Sequence, residues 1–283
     1  MKRLRAIWVV SVIAILFTAC ASPPAIVKFQ PSDYSAKFEV VSGKLSQDLG
    51  IKVALLSPQG EIKTMQVAQP QIGFLGGMQI SQSKAQMGSG SAGFPSQMRL
   101  NLQKSIEGIA LQKGYNVVSA YESIEIMPYE DKKRIDMLII PELQLGEEES
   151  SIGVNYEMPK SMSMVTIQKG KINYSGKYSL KGQLIFQIIE PLTREKLFIK
   201  SIPYTSDPVD VETIVEFNGQ EQYAQALQMA TQSVQKAINN ARSQALENAY
   251  KKLIDSIKTY LPGGEEAVNL AKQARELKTI KRY

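Results

Sequence analysis

Tyr178–Tyr204 reads YSLKGQLIFQIIEPLTREKLFIKSIPY, and this stretch decides the fold. Tyr178, Leu180, Leu184, Phe186 and Ile188 recur with period two, so they share one face of a strand. Glu190–Glu195 (EPLTRE) carries the turn signal of Pro191, and Leu197 to Tyr204 returns as the second strand of a hairpin. Upstream, Ile135, Met137, Ile139, Leu143 and Leu145 show the same period, predicting a strand with one face inward. Pro141 within it predicts an edge position or a bulge, because proline lacks the ladder donor.

Earlier in the chain, Ile51 to Leu56 (IKVALL) reads as the first strand, closed by Ser57-Pro58-Gln59-Gly60. Gln97 to Lys113 reads as a helix, with Met98, Leu102, Ile106 and Ile109 on one face and Gly114 as its stop. Tyr115 to Tyr121 follows as a strand, which makes a βαβ-like unit. Residues 65–96 are rich in Gln, Met, Ser and Gly and read as a flexible insert. No Gly-Lys-Ser/Thr follows these glycines, so they form no phosphate loop.

Downstream, Tyr223, Leu227, Ala230, Val234, Ile238, Ala241, Ala245, Ala249, Leu253, Ile257 and Leu261 repeat every three or four residues. Unbroken, that helix would span roughly 60 Å at about 1.5 Å per residue. Asn239-Asn240 marks a site for a break, and Pro262-Gly263-Gly264 ends the stripe. Glu265 to Lys281 forms a short, highly charged terminal helix. The fold class expected is α+β (mixed α/β): one domain with a central mixed sheet covered by helices, spanning residues 51–283, with C-terminal helices in 220–283.

The first twenty residues carry a different message. Lys2, Arg3 and Arg5 precede the apolar run Ala6 to Phe17, and the small residues Thr18 and Ala19 lead into Cys20. This order is that of a secretory signal at residues 1–19. The run is short of the roughly 20 apolar residues a spanning helix needs. Phe17-Thr18-Ala19-Cys20 resembles the lipobox of bacterial lipoproteins, although Phe17 stands where Leu is usual. Acylation of Cys20 with two or more chains would anchor the protein stably to a membrane. Ala21 rather than Asp follows, which by analogy with enteric bacteria predicts transport to the outer membrane. Residues 20–50, with Pro23, Pro24 and Pro31, read as a lipidated tether.

Composition narrows the chemistry. The net charge of +6 falls to +3 once the leader's three cations are removed, too balanced for a nucleic-acid partner. There is no histidine, which excludes histidine triads and histidine metal sites, and Cys20 is the sole thiol. No cofactor is expected, and nothing argues for an enzyme. Glu147-Glu148-Glu149 reads as a solvated charged loop, since consecutive residues of a strand alternate faces and would not converge. The segment Met164 to Lys171 (MVTIQKGK) is the candidate ligand site. Lys169 and Lys171 offer charge, and Thr166 and Gln168 offer hydrogen bonds, to a carboxylated sugar. An exposed hairpin strand accounts for the same pattern.

These features, in order along the chain, resemble the neuraminyllactose-binding haemagglutinin lipoproteins of Helicobacter, also called flagellar sheath adhesins. The matching residues are Cys20 with Ser22-Pro23, the strand from Ile51 to Ser57, and Leu111 to Ser119 (LQKGYNVVS). Thr166-Ile167-Gln168-Lys169, Ile188-Ile189-Glu190-Pro191-Leu192 and Ala274-Arg275-Glu276-Leu277-Lys278 complete the set. The resemblance implies an outer-membrane or flagellar-sheath lipoprotein that binds sialylated host glycans. It implies a ligand segment at Thr166, Ile167, Gln168 and Lys169. Met164 and Val165 stand where the family's motif has two basic residues, so the chain reads as a diverged paralogue. The alternative is a structural or assembly lipoprotein that binds envelope or flagellar-sheath proteins.

Overall fold

The alternation at Tyr178–Ile188 belongs to a much longer strand than the sequence predicts. In the computed structural model β8 spans Lys169–Ile189, and its even-numbered side chains from Ile172 to Ile188 point into the core wherever they are large. The structure describes residues 25–28, 34–45, 47–64, 90–92, 94–148, 153–157, 169–218 and 222–280. The leader, Cys20, most of the 65–96 insert and Thr166–Gln168 lie outside the described residues.

Both edges of β8 are covered along its length by antiparallel partners. On one edge, β6 (Met137–Glu148) pairs with its second half and β7 (Gly153–Glu157) with its first. On the other edge, β9 (Lys196–Thr205) and β10 (Val209–Asn218) do the same. The hairpin predicted around Pro191 is therefore present. Glu190 N donates to Glu195 O at 2.9 Å, Arg194 N donates to Glu190 O at 2.9 Å, and Arg194 takes the left-handed conformation. β10 is not among the expected strands, although Val209, Val211, Thr213, Val215 and Phe217 alternate clearly.

β2 (Lys52–Leu56) lies parallel to β6 on one side and to β5 (Asn116–Tyr121) on the other. Helix α1 (Ser96–Gln112) makes the crossover, as the βαβ pattern predicts. β3 (Gln59–Thr64) continues beside β6, and β4 (Gly90–Ala92) pairs with β3, so the insert contributes a strand before α1 begins. A further strand, β1 (Ala25–Lys28), pairs with the outer edge of β10. The described strands form one mixed sheet of ten.

Two expectations for β6 are corrected. Pro141 lies in an interior strand, with β8 on one side and the β2–β3 line on the other. It is tolerated because the parallel partner changes there: pairing with β2 ends at Ile139 and pairing with β3 resumes at Glu142. Nor is one face alone buried. Met137, Ile139, Leu143 and Leu145 enter the main core, whereas Leu138 and Ile140 join a second cluster with Ala54, Leu56, Ile124, Met127, Ile135 and Ile189. The loop before helix α2 (Tyr129–Arg134) covers that side with Ile124 and Met127. Strands buried on both faces read as continuous apolar runs, which explains VALL and MLII.

Helix α3 (Tyr223–Tyr260) runs unbroken for 38 residues through Asn239-Asn240 and lies along β8 and β10. Its alanine-rich stripe is buried from Ala226 to Ile257, and small side chains let it approach the sheet closely. It stops at Leu261, since a residue before proline disfavours helix. Gly264 takes a positive φ to open α4 (Gly264–Ile280), which buries Ala267, Ala271 and Ala274. The α+β class, the helix-covered mixed sheet, the long C-terminal helix and the short charged terminal helix are all as expected.

Part of the 20–50 stretch read as a tether packs against the sheet and helices. Besides β1, residues 34–43 are seated on α1 and α3. Val41 N donates to Ser105 Oγ at 3.0 Å, and Asn101 Nδ2 donates to Phe38 O at 2.6 Å. Tyr250 Oη donates to Glu39 O at 2.6 Å. Gly43 and Gly108 permit this contact: a Cβ on Gly108 would collide with the Val41 carbonyl oxygen.

Candidate functional site

The ligand segment expected at Thr166–Lys169 enters the described structure only at Lys169, the first residue of β8, which is paired with Asn218 at the end of β10. Two residues on, Lys171 Nζ lies 3.5 Å from a Glu216 carboxylate oxygen, with the lysine half exposed. Glu216 is in turn opposite Ala25 of β1. The start of β8, the end of β10 and the start of β1 therefore share one end of the sheet. Lys169 and Ile189 are twenty residue steps apart, so β8 runs a contour of about 66 Å at ~3.3 Å per residue to its other end.

That far end is tied together by carboxylates and C-terminal cations. Glu190 is fully buried in its turn and accepts backbone N–H bonds from Leu192 and Thr193. Lys278 Nζ approaches it to 3.6 Å and also donates to the carbonyls of Lys133 and Ile135. Asp136 accepts from Lys52 N at 2.9 Å and from Arg275 at 2.8 and 3.0 Å. Burial works to raise the Asp136 carboxyl, but Arg275, the Lys52 N–H and Lys278 outweigh it and hold it below the ordinary carboxylate range. Burial pushes the Lys278 ammonium down, against the opposing pull of Glu190 and Asp136. The tail residues Ala274 to Lys278 thus fasten α4 across the end of the sheet. Sequence showed their charge but not their partners.

Glu147 departs from the solvated loop expected for it. It lies in β6, is 3% exposed, and accepts from Tyr178 Oη at 2.9 Å and from Arg242 Nε at 2.6 Å. Desolvation, with the negative Glu147 beside it, drives the Tyr178 hydroxyl well above its ordinary value, so it stays a donor. This group joins the sheet to α3. A fourth carboxylate, Glu247, accepts from Tyr34 Oη at 2.6 Å, Lys37 N at 2.8 Å and Lys251 Nζ at 2.7 Å. Burial opposes ionisation there, but these donors bring the group down to about 2. Each of these carboxylates fastens two elements.

A hollow of about 550 Å³ opens between the ends of β2 and β5 and the start of α1, lined in part by Ser57, Gln59, Arg99, Glu122 and Ser123. Among the described residues no group of three or more acidic side chains could hold a metal ion. No described helix is long and apolar enough to cross a membrane.

No family model matches the chain, and no curated protein matches it. Among solved structures it is similar to a neuraminyllactose-binding hemagglutinin homolog from Helicobacter pylori. That likeness has 14% identity and a TM-score of 0.45, over 86% of this chain and 99% of the other. It is also similar to a Xanthomonas campestris protein of the DUF330 family model, with 10% identity and a TM-score of 0.29, over 86% and 99% of the two chains.

Proposed function

We propose that the chain is an envelope lipoprotein of the binding kind, acylated at Cys20 and held on the outer membrane. The observation that carries this reading is the leader itself: a cationic start, a short apolar run and small residues ending on the chain's sole thiol. The fold is compatible with it, because paired strand begins at Ala25, just past that cysteine. Incorporation of an alkyne-palmitate label, abolished by Cys20→Ala, is the expected result. An unlabelled chain recovered with a free Cys20 thiol overturns the reading.

Within this kind, the adhesin reading assigns Thr166, Ile167, Gln168 and Lys169 to a sialylated host glycan, on a cell surface or flagellar sheath. Its support is the family-like Thr-Ile-Gln-Lys sequence. A glycan array probed with residues 21–283 should then bind sialylated glycans, and Lys169→Ala should weaken that binding. An array without signal, or an unaffected variant, removes the segment from the role.

One observation favours the second reading, an assembly lipoprotein with a protein partner in the envelope or sheath. Lys169 sits at the same end of the sheet as β1, hence near the proposed anchor. Crosslinking in cells should capture one fixed partner, and protease should spare the domain on intact cells. Digestion on intact cells with no partner captured returns the choice to adhesion.

A further inference from the structure

Resting on the acylation of Cys20 proposed above, we propose that one end of the molecule lies on the lipid headgroups of the membrane that anchors it. That end comprises the start of β8, the end of β10 and the start of α3. The β8–β9 turn, α2 and α4 point away from the bilayer.

The register of the edge strand carries this inference. β1 runs antiparallel to β10, with Ala25 opposite Glu216 and Lys28 opposite Ile214. Following β1 backwards from Lys28 to Ala25 therefore leads toward Asn218. Only five Cα–Cα steps separate Cys20 from Ala25, so in any conformation they are at most about 18 Å apart. β8 alone is about 66 Å long at ~3.3 Å per residue. The anchor can thus reach the headgroup zone from the Asn218 end, whereas the Glu190 turn lies several times farther away.

Surface chemistry favours standing over lying flat. Along β8 and β10 two exposed lysines face carboxylates, Lys171 with Glu216 and Lys177 with Asp210 at 3.9 Å, which breaks the basic character of that flank. At the Asn218 end the exposed described side chains include Asn218, Ala224 and Gln225. None of the exposed large apolar residues among the described ones falls there. Such an end suits contact at headgroup depth without insertion into hydrocarbon. Lys169 is then carried beside the bearing membrane, and the surface offered outward is the end closed by Arg275, Lys278 and the Glu190 turn.

Fluorescence quenching tests this directly, because the chain's sole tryptophan, Trp8, lies in the leader. Full-length Trp8→Phe chain, with either Asn218→Trp or Arg194→Trp added, is produced in a bacterial host and reconstituted in phosphatidylcholine vesicles. The vesicles carry a headgroup nitroxide lipid. The mass of the N-terminal peptide reads acylation separately and decides the anchoring proposal. Where Cys20 is recovered as a thiol, coupling it to a maleimide lipid supplies the same attachment, so orientation is read in either case. Several-fold stronger quenching of the Asn218→Trp variant is expected. A long Gly/Ser insert between Ala21 and Ser22 should bring both variants to the same low level. Equal quenching without the insert, or stronger quenching of the Arg194→Trp variant, overturns the proposal.

Discussion

Arg275 grips Asp136 at two points, Nε to Oδ1 at 2.8 Å and Nη2 to Oδ2 at 3.0 Å, across 139 residues of sequence. The same carboxylate accepts the Lys52 N–H, so one contact joins the last helix to the start of β2. Because Arg275 is about half exposed, the pair sits between the surface and buried limits. Arg275→Ala should cost about 1–2 kcal/mol and loosen α4. Urea denaturation should show a lower midpoint, and limited proteolysis should cut first within 264–280. An unchanged midpoint would show the contact to be ornamental.

A larger effect is expected at Glu147. Arg242→Ala leaves a carboxylate with a fully buried side chain facing Tyr178 without its guanidinium, and should cost about 3 kcal/mol. Replacing both partners with apolar residues, as in Glu147→Leu with Arg242→Met, should restore most of that loss. A double-mutant cycle measures the coupling. A double variant as weak as Arg242→Ala alone would show that Glu147 gains little from this partner.

Acid should unfasten the segment at 34–43. Glu247 drops from its ordinary 4.5 to about 2 on folding. A depressed carboxylate contributes stability that is complete above the unfolded value and is lost as pH falls through the folded one. The window is therefore pH 4.5 down to about 2. Asp136 shifts in the same direction and acts alongside it. Denaturation curves at several pH values should steepen in this range, and Glu247→Gln should flatten the acid limb. The same acid limb in the variant would contradict the assignment.

Gly108→Ala tests the seat of that segment on α1. The added Cβ meets the Val41 carbonyl oxygen, which is backbone and cannot swing aside. Overpacking of this kind costs typically 1–3 kcal/mol, more than alanine's better helix propensity of about 1 kcal/mol returns. Hydrogen exchange at Val41 N–H, which is bonded to Ser105 Oγ, should accelerate in the variant. Protection equal to wild type would mean the segment rides over the methyl group.

Much of the fold is legible because its signals are local. Met98, Leu102, Ile106 and Ile109 share a helix face by spacing alone, and all four are buried. Leu180, Leu184, Phe186 and Ile188 do the same on a strand. β8 extends back to Lys169 unseen, because Asn173, Ser175, Gly176 and Lys177 dilute the two apolar anchors Ile172 and Tyr174. β1 is four residues among prolines, and only β10 beside it gives it a ladder. The candidate site is less legible still: Thr166–Lys169 could be ranked by chemistry but not placed.

Local sequence is enough for the sole thiol at Cys20, the mixed α+β class and the long alanine-striped helix. These follow from composition and from periods of two and 3.6, which neighbouring residues set among themselves. It takes the packing of distant elements to bury Glu147 against Arg242, to close the end of the sheet with Arg275 and Lys278, and to bring Lys169 to the same end as β1. Those relations join residues tens to hundreds of positions apart. The energy of such a contact depends on burial and geometry that no local pattern encodes.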